Sequence, residues 1–350
     1  MLATQPRRPH RRRQLAAAVA AAVLAVGLAA CGSAGDDASP SAVAADQAAF
    51  PATIAHKYGT TTIPAEPKRV VTIGYTDHDY VLALGVTPVG VRDWFGDRPN
   101  ATWAWAQDAL GDAKPEVLPS GELNFEQIAS LRPDLILGVY SGIKRSDYTR
   151  LSKLAPTVTQ TDAQIDYGMP WQDQLRITGR ALGRSERAEE LVTELEASFA
   201  KAREDHPEFD GASAVFAAFY QGFAAYAGDD PRPRFLRALG LKTAPEIDKR
   251  AGDSFFVDIS NERLREIDKD VVVMYGPTRA DREQVLDNPL YKRLNAVKEG
   301  RDVYLDGEDD LTGALSFSSP LSIPYALAEL VPRLAAAIDG DPETRVPEAR

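Results

Sequence analysis

An α/β fold of two similar lobes joined by one long helix is what this sequence predicts, and three observations carry that expectation. The first is repetition: "NFEQIASLRPDLILGVY" (124–140) reads as a short amphipathic helix, a Pro stop and a buried strand, and 136 positions further on "SNERLREIDKDVVVMYG" restates it. Glu126 then lies over Glu262, Ile128 over Leu264, Leu131 over Ile267, Asp134 over Asp270 and Ile136 over Val272. The second is alternation of β-branched runs with helical ones, which favours lobes of largely parallel sheet covered by helices. The third is a single long helical stretch between the two copies, about where a connector belongs.

Along the chain, residues 1–30 form a transport signal. Five arginines precede "LAAAVAAAVLAVGLAA", a run shorter than the ~20 residues of a spanning helix. Next comes Cys31, the only cysteine, which excludes an internal disulfide. Leu28, Ala29, Ala30 and Cys31 resemble the lipobox of bacterial lipoproteins, so Cys31 is the expected lipidation site. Arg12 and Arg13 are also partly similar to a twin-arginine signal, and the export route stays open. Residues 31–50 are small and polar and read as a flexible, lipid-anchored tether.

The first lobe is expected over 51–168. "KRVVTIGY" is a strand, and "DHDYVLALGVTPVGV" is a short helix ending at Gly85 followed by another strand. In the second lobe, 207–340, "ASAVFAAFY" and "RFLRALGLKTA" repeat that order, with Leu82, Leu84 and Gly85 over Arg237, Leu239 and Gly240 at an offset of 155. Residues 169–206 connect the lobes. Gly183 ends a first helix, Ser185 is the expected cap of the next, and Ala188, Leu191, Val192, Leu195 and Phe199 make one apolar stripe as far as His206 and Pro207. A helix of about twenty residues spans ~30 Å and would join the lobes stiffly. "SIPYALAELVPRLAAAI" is a closing helix, and 341–350 is a polar tail.

Charge narrows the function. The chain of 350 residues carries −11, and without residues 1–30 it has 35 bases against 51 acids, a balance of −16. Such a surface repels nucleic acid and anionic lipid. Enzyme motifs are missing: there is no G-x-S-x-G elbow, no H-E-x-x-H, no phosphate-binding Gly-rich loop and no second cysteine. The expectation is a binding protein and not an enzyme. A hydrolase built from His78 and a neighbouring Asp is the remote alternative.

The order of lipobox, tether, "KRVVTIG", "LALGV", "LNFEQIASLRPDLIL", connecting helix, "NPLYKRLNAVKEGRDVYLDG" and "ALSFSSPLSIPYALAEL" resembles the substrate-binding lipoproteins of ABC importers for ferric siderophores, the ferric-enterobactin and ferrichrome binders, with relatives for cobalamin and haem. The similarity covers essentially everything after Cys31. It implies two Rossmann-like lobes on a rigid helix, a ligand cleft between them, a ferric siderophore as ligand, no cofactor, an ABC permease as partner, and a monomer held to the outer face of the cytoplasmic membrane by lipid. In that family an acidic residue at this place in each lobe docks on the permease. Glu126 and Glu262, each just after a possible N-cap, match that place. Their ordinary reading is carboxylates in a helix first turn.

Ligand contacts are sought among aromatic and arginine residues of segments that follow strands. All four tryptophans lie in two such segments, Trp94, Trp103 and Trp105 in one and Trp171 in the other. The expected ligand-binding set is Arg92, Trp94, Tyr140, Trp171, Tyr220, Phe223 and Arg279, flat surfaces with guanidinium groups that suit a bulky anionic chelate. The siderophore already fills the coordination sites of iron, so no metal-ligating residue is required. The metal-ion alternative rests on "YTDHDY" alone, where Asp77, His78 and Asp79 offer ligands. The mature chain adds only His56 and His206, too few for a dedicated transition-metal site, and His78 is expected to be a polar loop residue.

Overall fold

The computed structural model describes residue 46, residues 49–307 and 309–339, and residues 341, 343, 344, 346 and 347. Cys31 and the transport signal lie outside the described residues.

The first lobe opens with an antiparallel hairpin, β1 (Ala52–His56) and β2 (Gly59–Ile63). Its exposed threonines kept it from reading as a strand pair in sequence. There follow β3 (Val70–Thr72), α1 (Asp77–Ala83), β4 (Gly90–Arg92), α2 (Gln107–Leu110), β5 (Glu116–Leu118), α3 (Phe125–Ser130), β6 (Leu135–Gly138), α4 (Arg145–Leu151) and β7 (Thr157–Thr159). The strands pair in the order β5-β4-β3-β6-β7, all parallel. Helices on both faces bury β3, β4, β6 and β7 at every residue, which is why these strands are short unbroken apolar runs without alternation.

Two helices form the connector, α5 (Trp171–Leu182) and α6 (Ser185–Asp205). Between them Gly183 takes a left-handed φ of 66°, and a Cβ there would lie 2.6 Å from the Phe50 ring. The cap of α6 is not Ser185, which is already the first helical residue. The carboxylate of Asp46 accepts from the backbone N–H of Ser185 (2.7 Å) and of Glu186 (3.3 Å), satisfying donors that the helix start leaves open. The apolar stripe of α6 is divided between two cores. Ala188 and Val192 pack with β3, β6 and α5, whereas Leu195 and Phe199 pack with the second sheet and its helices. One rigid rod thus belongs to both lobes.

The second lobe contains β8 (Ser213–Phe219), β9 (Phe223–Tyr226), α7 (Pro231–Ala238), β10 (Lys242–Thr243), α8 (Pro245–Ala251), β11 (Phe256–Ile259), β12 (Val271–Gly276), α9 (Arg279–Asp287), α10 (Asn295–Lys298), β13 (Asp302–Asp306), α11 (Asp310–Phe317) and α12 (Ser322–Ile338). The sheet order is β11-β9-β8-β12-β13, with β10 beside the start of β8. β8, β12 and β13 are parallel, but β9 folds back on β8 as a hairpin and β11 pairs antiparallel to β9. Gln221 at φ 60° makes that reversal. The repeated unit is present in both lobes with one difference. Asn124 caps α3 by accepting from the Gln127 N–H at 3.0 Å, while Ser260 makes no side-chain cap and Asn261–Ile267 winds as a 3-10 helix. Ile128, Leu264 and Ile267 are all buried, so the apolar spacing is kept while the hydrogen bonding is not.

Candidate functional site

In an open parallel sheet the crevice for a ligand forms at the carboxyl ends of two adjacent strands whose connections leave in opposite directions. In the first lobe those strands are β3 and β6. Tyr75 follows β3 and Tyr140 follows β6, and the Tyr75 N–H donates to the Tyr140 carbonyl at 3.0 Å. Beneath them the Asp77 carboxylate accepts from the N–H groups of Val139 (2.8 Å) and Tyr140 (2.9 Å). Burial pushes its pKa up to about 6, against those hydrogen bonds and the nearby Arg92 charge. Gly74 is required here, because a Cβ would sit 2.2 Å from Asp77 Oδ2.

Arg92, at the end of β4, donates to the carbonyls of Ile73 (3.2 Å), Ser120 (2.9 Å) and Gly121 (2.6 Å) and lies 4.3 Å over the Tyr75 ring. Trp94 stacks on Tyr75 at 5.4 Å and packs at a tilt against Tyr140 (6.1 Å) and against Phe317 (5.5 Å), the last residue of α11. Tyr167 completes it, 5.2 Å from the Tyr140 ring and donating to the Ser141 carbonyl at 3.1 Å. A depression of about 490 Å³ opens beside Tyr75, Arg92, Phe125, Lys144 and Tyr167.

The second lobe has its own reversal between β8 and β12, and tyrosines stand there as well. Tyr220 follows β8 and Tyr275 lies near the end of β12, with ring centres 5.7 Å apart. The hydroxyls of Tyr220 and Tyr226 are 2.6 Å apart. Arg232 of α7 lies 3.5 Å over the Tyr226 ring and donates to both oxygens of Asp230, each at 2.7 Å. Burial raises the phenol pKa of Tyr140, Tyr220, Tyr226 and Tyr275 above the ordinary value, so at neutral pH these are protonated hydroxyls able to donate. For Tyr140 the charges next felt after burial are Asp230, which raises it, and Arg232, which lowers it. The two walls meet where the Phe255 ring of the second lobe lies 6.4 Å from Tyr167.

Of the residues singled out from sequence, Arg92, Trp94 and Tyr140 share one wall and Tyr220 stands on the other. Trp171 is the first residue of α5 and lines a separate cavity of about 130 Å³ with Met169, Phe199, Arg234 and Phe235. Phe223 is 3% exposed and packs between Phe219 and Tyr291 inside the second lobe. The Arg279 side chain is 91% exposed and pairs with Glu283. Glu126 and Glu262 are exposed in the first turns of their helices, and neither enters an ion pair among the described residues. Trp103, expected in a loop, is buried and stacks on Trp105 at 5.0 Å.

His78 is not a loop residue. It lies in the first turn of α1, 1% exposed, with its ring 5.6 Å from Phe317, and burial lowers its pKa to about 4. Asp79 beside it accepts from Trp105 Nε1 (2.7 Å) and from Ser319 Oγ (2.5 Å), and the Tyr80 hydroxyl donates to the Ser318 carbonyl at 3.3 Å. "YTDHDY" thus ties α1 to the segment between α11 and α12. Among the described residues no group of three or more His, Cys, Asp or Glu is placed to hold a metal ion. Sequence reading missed Tyr75, Tyr167, Tyr226, Arg232 and Tyr275. Tyr75 and Tyr275 were within reach, since both close β-branched runs in "VVTIGY" and "VVVMYG"; the others depend on chain reversals that leave no local pattern.

Comparison with known proteins agrees with this architecture. Residues 70–308 match the family model described as periplasmic binding protein. A probable siderophore-binding lipoprotein of Bacillus subtilis, YfiY, is 29% identical over 264 residues, covering 71% of this chain and 78% of its own. The crystal structure of a periplasmic solute-binding protein from Mycobacterium smegmatis superimposes with a TM-score of 0.73 at 34% identity, over 82% of this chain and 98% of that one. Streptococcus pneumoniae PiaA in complex with ferrichrome gives 0.72 at 30% identity, over 83% and 99%. These relatives are binding proteins rather than enzymes. With two lobes on a shared helix, a pair of meeting strand-end crevices and a family match over most of its length, this chain belongs to the periplasmic binding protein family.

Proposed function

We propose that this protein is the extracytoplasmic receptor of an ABC importer and captures a ferric siderophore between the tyrosine-rich walls described above. The observation that carries the reading is the meeting of two strand-end crevices, each floored by tyrosines, with no metal-ligating cluster among the described residues. Stacked rings and phenol hydroxyls suit a preformed chelate whose own oxygens already satisfy the iron. Cys31 would carry the lipid that holds the receptor at the membrane surface, where two acyl chains give stable attachment and one only marginal binding. Glu126 and Glu262 would meet the permease, one from each lobe, and a monomer suffices for the whole cycle.

Ferric chelates absorb where tryptophan emits, so a ligand beside Trp94 should quench intrinsic fluorescence saturably, whereas zinc or manganese alone should not. Haem would also quench, and a shifted Soret band would identify it. If no ferric chelate of the hydroxamate, catecholate or carboxylate class quenched, while zinc bound tightly and lost binding in His78→Ala, the reading would give way to a metal-ion receptor.

A further inference from the structure

The cavity of about 130 Å³ lies where both connector helices meet the second lobe, among Met169 and Trp171 at the start of α5, Phe199 of α6 and Phe235 of α7. It borders the tyrosine walls. Phe317 belongs to both, lining the cavity while its ring lies 5.5 Å from that of Trp94. Pro231 of the lining stands between Asp230 and Arg232, whose charges reach Tyr140, as does the charge of Arg234. Most of the lining is apolar, and two of its polar side chains each leave a buried atom open. Gln174 is 2% exposed, and its amide nitrogen donates to the Met169 carbonyl at 2.8 Å, which fixes the orientation of the amide. Its Oε1 then accepts from no group among the described residues. Arg234 gives Nη2 to Asp229 at 3.0 Å, while its buried Nη1 donates to no group among them. A buried acceptor and a buried donor left open are both costly, so a partner for each is expected.

We infer that this cavity is the subsite for an acyl arm of the chelate, a short aliphatic chain joined to it through an amide. The inference rests on the siderophore reading above. An apolar cavity of ~150 Å³ stays dry and takes a six-carbon ring, so this one has room for a chain of about five or six carbons. An amide supplies one acceptor and one donor, which is what Arg234 and Gln174 leave open. A carboxylate supplies acceptors only and would set an oxygen against Gln174 Oε1. Water gains little among these rings, whereas each CH₂ moved from water into the cavity is worth about fourfold in affinity.

The test is a fluorescence titration of the full-length protein with matched ferric complexes built on a trihydroxamate, a tricatecholate and a carboxylate chelator, each carrying one amide capped by acetyl, hexanoyl or decanoyl. Within a set, charge and iron centre are the same. In whichever set binds, the hexanoyl form should bind at least ~30-fold more tightly than the acetyl form, and the decanoyl form no more tightly than the hexanoyl, because the cavity is then full. A second arm uses Ala238→Leu, which fills the cavity from α7: the hexanoyl form should fall to within about threefold of the acetyl form, whose own affinity should stay within about twofold. Circular dichroism shows whether the variant keeps its fold, and the titrations of the unaltered protein stand without it. Equal affinity of the acetyl and hexanoyl forms, or affinity that goes on rising to decanoyl, overturns the acyl-arm inference and leaves the siderophore reading intact. Absence of quenching by every complex overturns the siderophore reading itself.

Discussion

At the scale of single residues the most unusual environment is the first turn of α1, where Asp77, His78 and Asp79 are all at most 1% exposed. Their titrations oppose one another. His78 is lowered to about 4, so it is neutral in the fold and its contribution is present above about 6.5 and lost as pH falls. Asp77 and Asp79 are raised to about 6 by burial, so their effect has the other sign: the fold gains as pH falls through 6 towards 3.8. Replacing the imidazole isolates the two carboxyls. Relative to His78→Leu, the unaltered protein should lose about 2 kcal/mol of stability between pH 7 and pH 5, at ~1.4 kcal/mol per proton per pH unit. Urea unfolding at the two pH values measures it, and a pH-independent difference would mean that the ring protonates in the fold. Gly142 poses a steric question in the same neighbourhood. It sits at φ 57°, and a Cβ would lie 2.5 Å from Tyr167 Oη. Gly142→Ala should therefore push Tyr167 off the Tyr140 wall, costing ~1 kcal/mol or more in stability and weakening chelate binding about tenfold by fluorescence titration.

At the scale of elements, the connector shows where sequence reading succeeds and where it stops. Its length, its apolar stripe and the break at Gly183 are local properties and were legible. The identity of its cap was not, because Asp46 comes from 139 residues upstream to meet Ser185, and Ser185 is itself a common capping residue. The two assignments separate cleanly by mutation. Asp46→Ala should destabilise the protein by ~0.5 to 2 kcal/mol, the usual cost of losing a helix cap, while Ser185→Ala should change little, both by chemical denaturation. Strands followed the same rule. The buried parallel strands read as β-branched runs, whereas the β8–β9 reversal hangs on one positive φ at Gln221 and made the second sheet less parallel than expected. The same reversal turned Phe223 into the core while Tyr220, three residues earlier, remained at the strand end. Aromatic content alone could not tell these two apart.

At the scale of the whole molecule, delivery requires that something outside the cleft report both lobes to a partner. Glu126 and Glu262 occupy matching places in the repeated unit, and both are exposed in first turns where the helix start stabilises a carboxylate. Their surroundings differ, with an Asn-capped α-helix in one lobe and an uncapped 3-10 turn in the other; retention of the acid across that difference argues for a use other than capping. An exposed ion pair is worth only ~0 to 1 kcal/mol, so the two together would orient the receptor on a permease and still permit release. Glu126→Ala and Glu262→Ala should each leave chelate affinity within about a factor of two and lower uptake of radiolabelled iron by cells, and the double variant should lower it most. A large loss of affinity in either single variant would assign that carboxylate to the ligand, and unchanged uptake in the double variant would remove both from the docking surface.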